Sequence, residues 1–143
     1  MYRGSVRSFV AIVGIIVACR DVSAPRPGLR IQTGNTSYVL DRPAGRPIDA
    51  TVTNISSHPI TLAACGTLVI ALPERWFAGQ WEDQSFAGCG STALTPRRID
   101  PGETLELDAR VQVIGAFRLR VPVFVDSAHQ TPSDEASPVF NIR

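Results

Sequence analysis

The chain contains no lysine. All 14 basic residues are arginine, set against 13 acidic residues for a formal net charge of +1. Without lysine there is no Gly-Lys-Ser/Thr phosphate loop, so Gly88-Cys89-Gly90-Ser91-Thr92 is not one. A balanced charge without a clustered basic surplus gives no electrostatic basis for a nucleic-acid partner. The pairs Arg97-Arg98 and Arg118/Arg120 read instead as solvated faces. Histidine occurs only twice, as His58 before Pro59 in a turn and as His129 in a polar loop, and both read as surface residues. With neither Cys-x-x-Cys nor His-x-His spacing, no metal site is expected, and no cofactor motif appears. Glu82, Asp83 and Asp100 match no calcium-loop pattern and read as solvated charge. No Gly-x-Ser-x-Gly elbow occurs, and no catalytic residue is assigned. No apolar run reaches the roughly 20 residues of a spanning helix. Nor is there a sustained 3.6-residue stripe or an internal repeat, which argues against a helical bundle, a coiled coil or a repeat array.

Among scarce residues cysteine is the informative one, because three is an odd number. Residues 1–8 carry Arg3 and Arg7 and no acid, and residues 9–18 are uncharged with Gly14 as the one strong breaker. A short basic segment before a short apolar core reads as a secretory signal. The core ends in Ile16-Val17-Ala18-Cys19, which resembles the lipobox of bacterial lipoproteins. That resemblance implies cleavage before Cys19, a thioether-linked diacylglyceryl group on its sulfur and, in many bacteria, an acylated amino group. Two or more acyl chains hold a protein stably on a membrane. Arg20 follows the cysteine, and in such families aspartate at that place is associated with inner-membrane retention. The expected location is therefore the bacterial cell envelope, lipid-anchored, with the outer membrane favoured. Plain secretion and a buried N-terminal segment with a free Cys19 are the alternatives. Cleavage would leave 125 residues with 12 arginines and 13 acids, so the +1 belongs to the export signal.

The expected organisation is a signal over 1–18, a lipidated cysteine and tether over 19–30, and one β domain over 31–143. Pro25, Pro27 and Gly28 make the tether a poor element of any kind. The body reads as short strands. Ile48, Ala50 and Val52 alternate with polar neighbours, and so do Leu105, Leu107, Ala109 and Val111, then Phe117, Leu119, Val121, Val123 and Val125. Further strands are expected over 60–64, 67–72 (stopped by Pro73), 75–81 (broken or bulged near Gly79) and 139–142. Asn54-Ile55-Ser56-Ser57-His58-Pro59 and Asp100-Pro101-Gly102 are turn signals. Pro122 cannot donate to a ladder and marks an edge or bulge. About seven strands between Gly/Pro turns predict a β-sandwich, with a small β-barrel as the alternative.

If Cys19 is lipidated, Cys65 and Cys89 form an even pair in an oxidising compartment and are expected to be disulfide-bonded near strand ends. The loop they close contains the densest aromatic stretch, Arg75-Trp76-Phe77-Ala78-Gly79-Gln80-Trp81, and then Phe86. Trp and Arg provide large amphipathic area at recognition surfaces, so Arg75, Trp76, Trp81 and Phe86 are the candidate binding residues. The favoured placement of both tryptophans is nonetheless the core, with the odd spacing absorbed at Gly79. A Cys-His hydrolase would need one of these cysteines reduced. Asn35-Thr36-Ser37 and Asn54-Ile55-Ser56 match a glycosylation pattern that a bacterial lipobox discounts.

Taken together, the chain resembles small bacterial lipoproteins of unknown function with an immunoglobulin-like domain. The features carrying this are the lipobox, Val52-Thr53-Asn54, the paired Cys65 and Cys89, Gly79-Gln80-Trp81, Pro101-Gly102-Glu103 and Phe117-Arg118-Leu119-Arg120. The resemblance implies an immunoglobulin-like β-sandwich and a compartment, and it assigns no catalytic residue. The 24-residue cysteine spacing is too short for the antibody-type bridge. The resulting expectation is a non-catalytic envelope lipoprotein whose domain binds a protein or another envelope component. A purely structural accessory module and a periplasmic enzyme are the alternatives.

Overall fold

A computed structural model describes residues 28–84, 89, 93–126 and 129–143, and the signal, Cys19 and Phe86 lie outside them. Among the described residues the chain is all-β, without a helix. One sheet has eight strands. It runs from β1 (Leu29–Thr33) through β4 (Ala50–Asn54), β10 (Thr104–Asp108), β6 (Leu68–Ile70), β5 (Ile60–Cys65) and β13 (Pro122–Phe124) to β14 (Gln130–Pro132), with β9 (Thr95–Ile99) lying along β5. The second sheet runs β2 (Ser37–Tyr38), β15 (Phe140–Ile142), β12 (Gly115–Arg120), β7 (Leu72–Phe77), β8 (Gln80–Asp83). A two-stranded ladder joins β3 (Arg46–Pro47) to β11 (Arg110–Val111).

Inward residues of both sheets meet in one core. Val52, Leu62, Val69, Ile99, Phe117, Leu119, Val121 and Phe140 are fully buried there. Phe117 stacks on Phe140 at 6.0 Å between ring centroids, and Tyr38 meets Phe140 edge-on at 5.7 Å. The larger sheet is curled. Beyond its last strand, Glu135 Oε1 accepts from the N–H groups of Gly28 and Leu29 at its first strand, which draws the two edges together. The architecture thus combines a two-sheet sandwich with a partial barrel.

The alternating runs are where the strands are, but several are subdivided. The 104–113 run parts at Ala109 into β10 and β11, which pair with different partners. The 117–125 run parts at Val121, where the chain leaves the second sheet as β12 and joins the first as β13. Pro122 marks this change of sheet, and the Val121 N–H beside it donates to Ser133 Oγ.

One expectation is corrected and another narrowed. Pro73 does not stop a strand but lies buried within β7, opposite Leu119. The Leu119 N–H donates to Ser137 Oγ and its carbonyl accepts from the Ser137 N–H. Leu119 therefore asks nothing of β7, and the proline's missing donor breaks no bond there. Of the break or bulge expected near Gly79, the 75–81 segment has the break, and the chain reverses there in a hairpin. Ala78 and Gly79 both have positive φ, 50° and 85°, the signature of a two-residue type I′ turn.

Candidate functional site

The β7–β8 hairpin closes one side of the second sheet and carries three of the four candidate binding residues. Cross-strand register sets which side chains share a face. Phe117 lies opposite Arg75 and Arg118 opposite Glu74, while Trp76 lies opposite Trp81 and Glu74 opposite Asp83. Because Phe117 points into the core, Arg118, Arg120, Glu74, Trp76, Trp81 and Asp83 all stand on the outward face. Arg75 and Phe77 take the opposite face, toward the open end of the core.

On the outward face the contacts form a chain. Glu74 receives Arg118 Nε at Oε2 and Arg120 Nη1 at Oε1, the latter at 3.4 Å. The Glu74 side chain keeps only 14% of its exposure, so this ion pair is more shielded than an ordinary surface pair. The Arg118 guanidinium carbon lies 4.5 Å from the Trp81 ring centroid, in cation–π contact. Trp81 in turn meets Trp76 edge-to-face, with centroids 5.2 Å apart. Arg120 Nε also donates to the Ser133 carbonyl, tying the patch to the segment after β14.

The core placement of the two tryptophans is therefore overturned. Trp76 is 47% exposed, and Trp81 is half-buried under Arg118 and Trp76 rather than in the core. Strand parity gives the reason: Pro73 and Arg75 occupy the inward positions of β7, so Trp76 must face out. Phe77, 52% exposed, lies at the hairpin tip with the Arg75 guanidinium carbon 5.5 Å from its ring centroid. Arg75 packs beneath Gly115, and a Cβ there would approach its Nε to 2.9 Å. That Nε is buried without a hydrogen-bond partner.

The disulfide is present: Cys65, the last residue of β5, is bonded to Cys89 beyond β8, with Cα atoms 5.2 Å apart. It links the larger sheet to the chain leaving the hairpin. Phe86 and Cys19 lie outside the described residues, so the binding candidates placed together are Arg75, Trp76 and Trp81. Sequence reasoning missed Glu74, Arg118 and Arg120 as members of the patch. Arginines two apart on a strand signal a shared face, but nothing local indicates which carboxylate they meet 44 and 46 residues away.

Elsewhere the polar candidates serve the scaffold or stand in solvent. Arg98 pairs with Asp100 and Arg97 with Glu103 around the β9–β10 turn. Glu82 and Asp83 alternate on β8. His129 pairs with Asp126, both exposed. Among the described residues no three His, Cys, Asp or Glu side chains gather as metal ligands would. An open groove of about 620 Å³ includes Asp49, Glu106 and Asp108, all exposed, and the described residues that line it include no histidine, cysteine or serine. No protein-family model matches the sequence, and no curated protein matches it.

Proposed function

We propose that this chain is a non-catalytic, lipid-anchored protein of the bacterial cell envelope whose β domain binds another envelope component through the outward face of the β7–β8 hairpin. The observation carrying this reading is the solvent-facing Trp76–Trp81–Arg118 stack. A tryptophan left half in water, braced by a second tryptophan and a cation, holds large amphipathic area in a fixed geometry at little entropic cost on binding. A soluble domain acting only as a spacer has no use for that arrangement.

The anchor is compatible with the geometry. Eight residues lie between Cys19 and Gly28, nine Cα–Cα steps with a reach of about 30 Å when extended. They join the body beside Glu135, at the Arg120 end of β12. The hairpin tip lies at the opposite, Gly115 end of that strand, about 17 Å away along its axis. A lipid on Cys19 leaves the aromatic tip directed away from the attachment point, available to a partner other than the anchoring lipids.

Photo-crosslinking tests this in the exported, membrane-attached protein. A photoreactive side chain at position 76 is expected to give a discrete adduct that one at the exposed position Gln130 does not. Arg118→Glu should abolish the adduct, and Trp76→Ala should leave thermal unfolding near that of the unaltered chain. Equal labelling from both positions, or none from position 76, would contradict the reading.

A further inference from the structure

Strand β1 ends the larger sheet, and its outer edge carries backbone groups that β4 does not use. The Gly28 carbonyl accepts from the Ile55 N–H and the Gly34 N–H donates to the Asp49 carbonyl, so bonds to β4 fall on even-numbered residues. Leu29, Ile31 and Thr33 therefore turn their N–H and C=O groups to the open side. Glu135 takes the Leu29 N–H. Ile31 and Thr33, two residues apart, keep both groups unpaired among the described residues.

The solvent-facing row along this edge is Arg30, Gln32, Gly34. Asp49 lies against Gly34: a Cβ there would sit 3.2 Å from Asp49 Cβ and 3.9 Å from its Oδ2. Arg30 and Asp49 are both exposed, and neither has an ion-pair partner among the described residues.

We propose that β1 is a self-association edge, pairing antiparallel with β1 of a second copy of this chain about a twofold axis through Gln32. In this register Ile31 lies opposite Thr33 of the second copy. Four backbone hydrogen bonds form, all from groups left open in the monomer. Gln32 meets Gln32 of the second copy, and an amide both donates and accepts, so the pair satisfies itself. Arg30 lies across Gly34 of the second copy, where the absent side chain opens a path to Asp49 of that copy. Symmetry forms this ion pair twice.

The neighbouring registers are poorer. Centring on Ile31 requires the Leu29 N–H that Glu135 holds, and centring on Arg30 sets two like charges face to face. A foreign strand would find the same backbone groups. The Arg30–Asp49 pair and the amide on the axis, however, complement their own symmetry mates. This pairing uses no residue of the hairpin surface.

A cysteine on the axis tests it. Gln32 is exposed, and facing residues in such a pair have Cα atoms about 4.5 Å apart, within the roughly 4.4–6.8 Å that a disulfide spans. The Gln32→Cys chain, oxidised at moderate concentration, should form a covalent dimer that Gln130→Cys and the unaltered chain do not. Adding Arg30→Asp should slow crosslinking about three- to tenfold, and adding Asp49→Arg to that should restore it. Thr33→Pro removes a donor that β4 does not use, so it should block crosslinking while the monomer stays folded. A Gln32→Cys chain that crosslinks no faster than Gln130→Cys, that ignores Arg30→Asp and Thr33→Pro, or that joins only a different protein would overturn the proposal.

Discussion

Asn54 shows how one polar side chain can organise a turn. It is fully buried, and its Nδ2 donates to the His58 and Ile99 carbonyls at 2.8 and 3.0 Å. Its Oδ1 accepts from the Ser56 N–H and hydroxyl. Its own carbonyl takes the Gly102 N–H, joining the 54–59 turn to the β9–β10 turn. Asn54→Ala should therefore cost about 1–3 kcal/mol in urea unfolding, because the buried Ile99 carbonyl loses this donor and the Ser56 N–H loses its acceptor. A loss under 1 kcal/mol would show that water replaces the amide. The motif Val52-Thr53-Asn54 was visible in the sequence, and the turn after it was readable from Ser, His and Pro. The bond from Asn54 to Ile99, 45 residues on, was not, because a buried polar group declares its partner only through tertiary register. The two tryptophans mislead for a related reason. Large aromatics are usually buried, and only the pairing of Arg75 with Phe117 shows that Trp76 must point outward.

At the scale of elements, the hairpin tip is the point where local chemistry and fold are least matched. Ala78 holds a left-handed φ of 50°, a conformation that costs a residue with a Cβ about 1 kcal/mol or more. Nothing lies within 4 Å of a Cβ built on the neighbouring Gly79, so the tip is open and space sets no constraint. Ala78→Asn creates the Asn-Gly pair favoured in type I′ turns and should raise stability by about 0.5–1 kcal/mol, read as a higher urea midpoint. An unchanged or lower midpoint would mean that the turn relaxes in solution to another form. The absence of an Asn-Gly or Asp-Gly signal is also why the sequence shows a break or bulge at Gly79 but not the reversal. The alternation of apolar residues located β4, β10 and β12 well. It could not show the breaks at Ala109 and Val121, since the pattern continues through them while the strand changes partners. Strand β9 was hidden because Thr95-Pro96-Arg97-Arg98 is exposed and has no apolar face; it is held by five-residue pairing with β5.

At the scale of the molecule, three distinct closures hold the described residues together. A common core joins the two sheets, Glu135 draws the first and last strands of the larger sheet together, and Cys65–Cys89 ties β5 to the chain beyond the hairpin. In the loop-entropy view, a crosslink across 24 residues contributes about 3–4 kcal/mol. This is a large share for a domain of such size. The cysteine pairing was legible because assigning one cysteine to a lipid left only two. A lipid on Cys19, as proposed, would set compartment, redox state and anchoring at once. Intact-mass measurement of the exported protein under non-reducing conditions tests it most directly. The expected product is a chain beginning at Cys19 that carries a diacylglyceryl group and lacks two hydrogens for the Cys65–Cys89 bond. An unprocessed chain with three alkylatable thiols would contradict it.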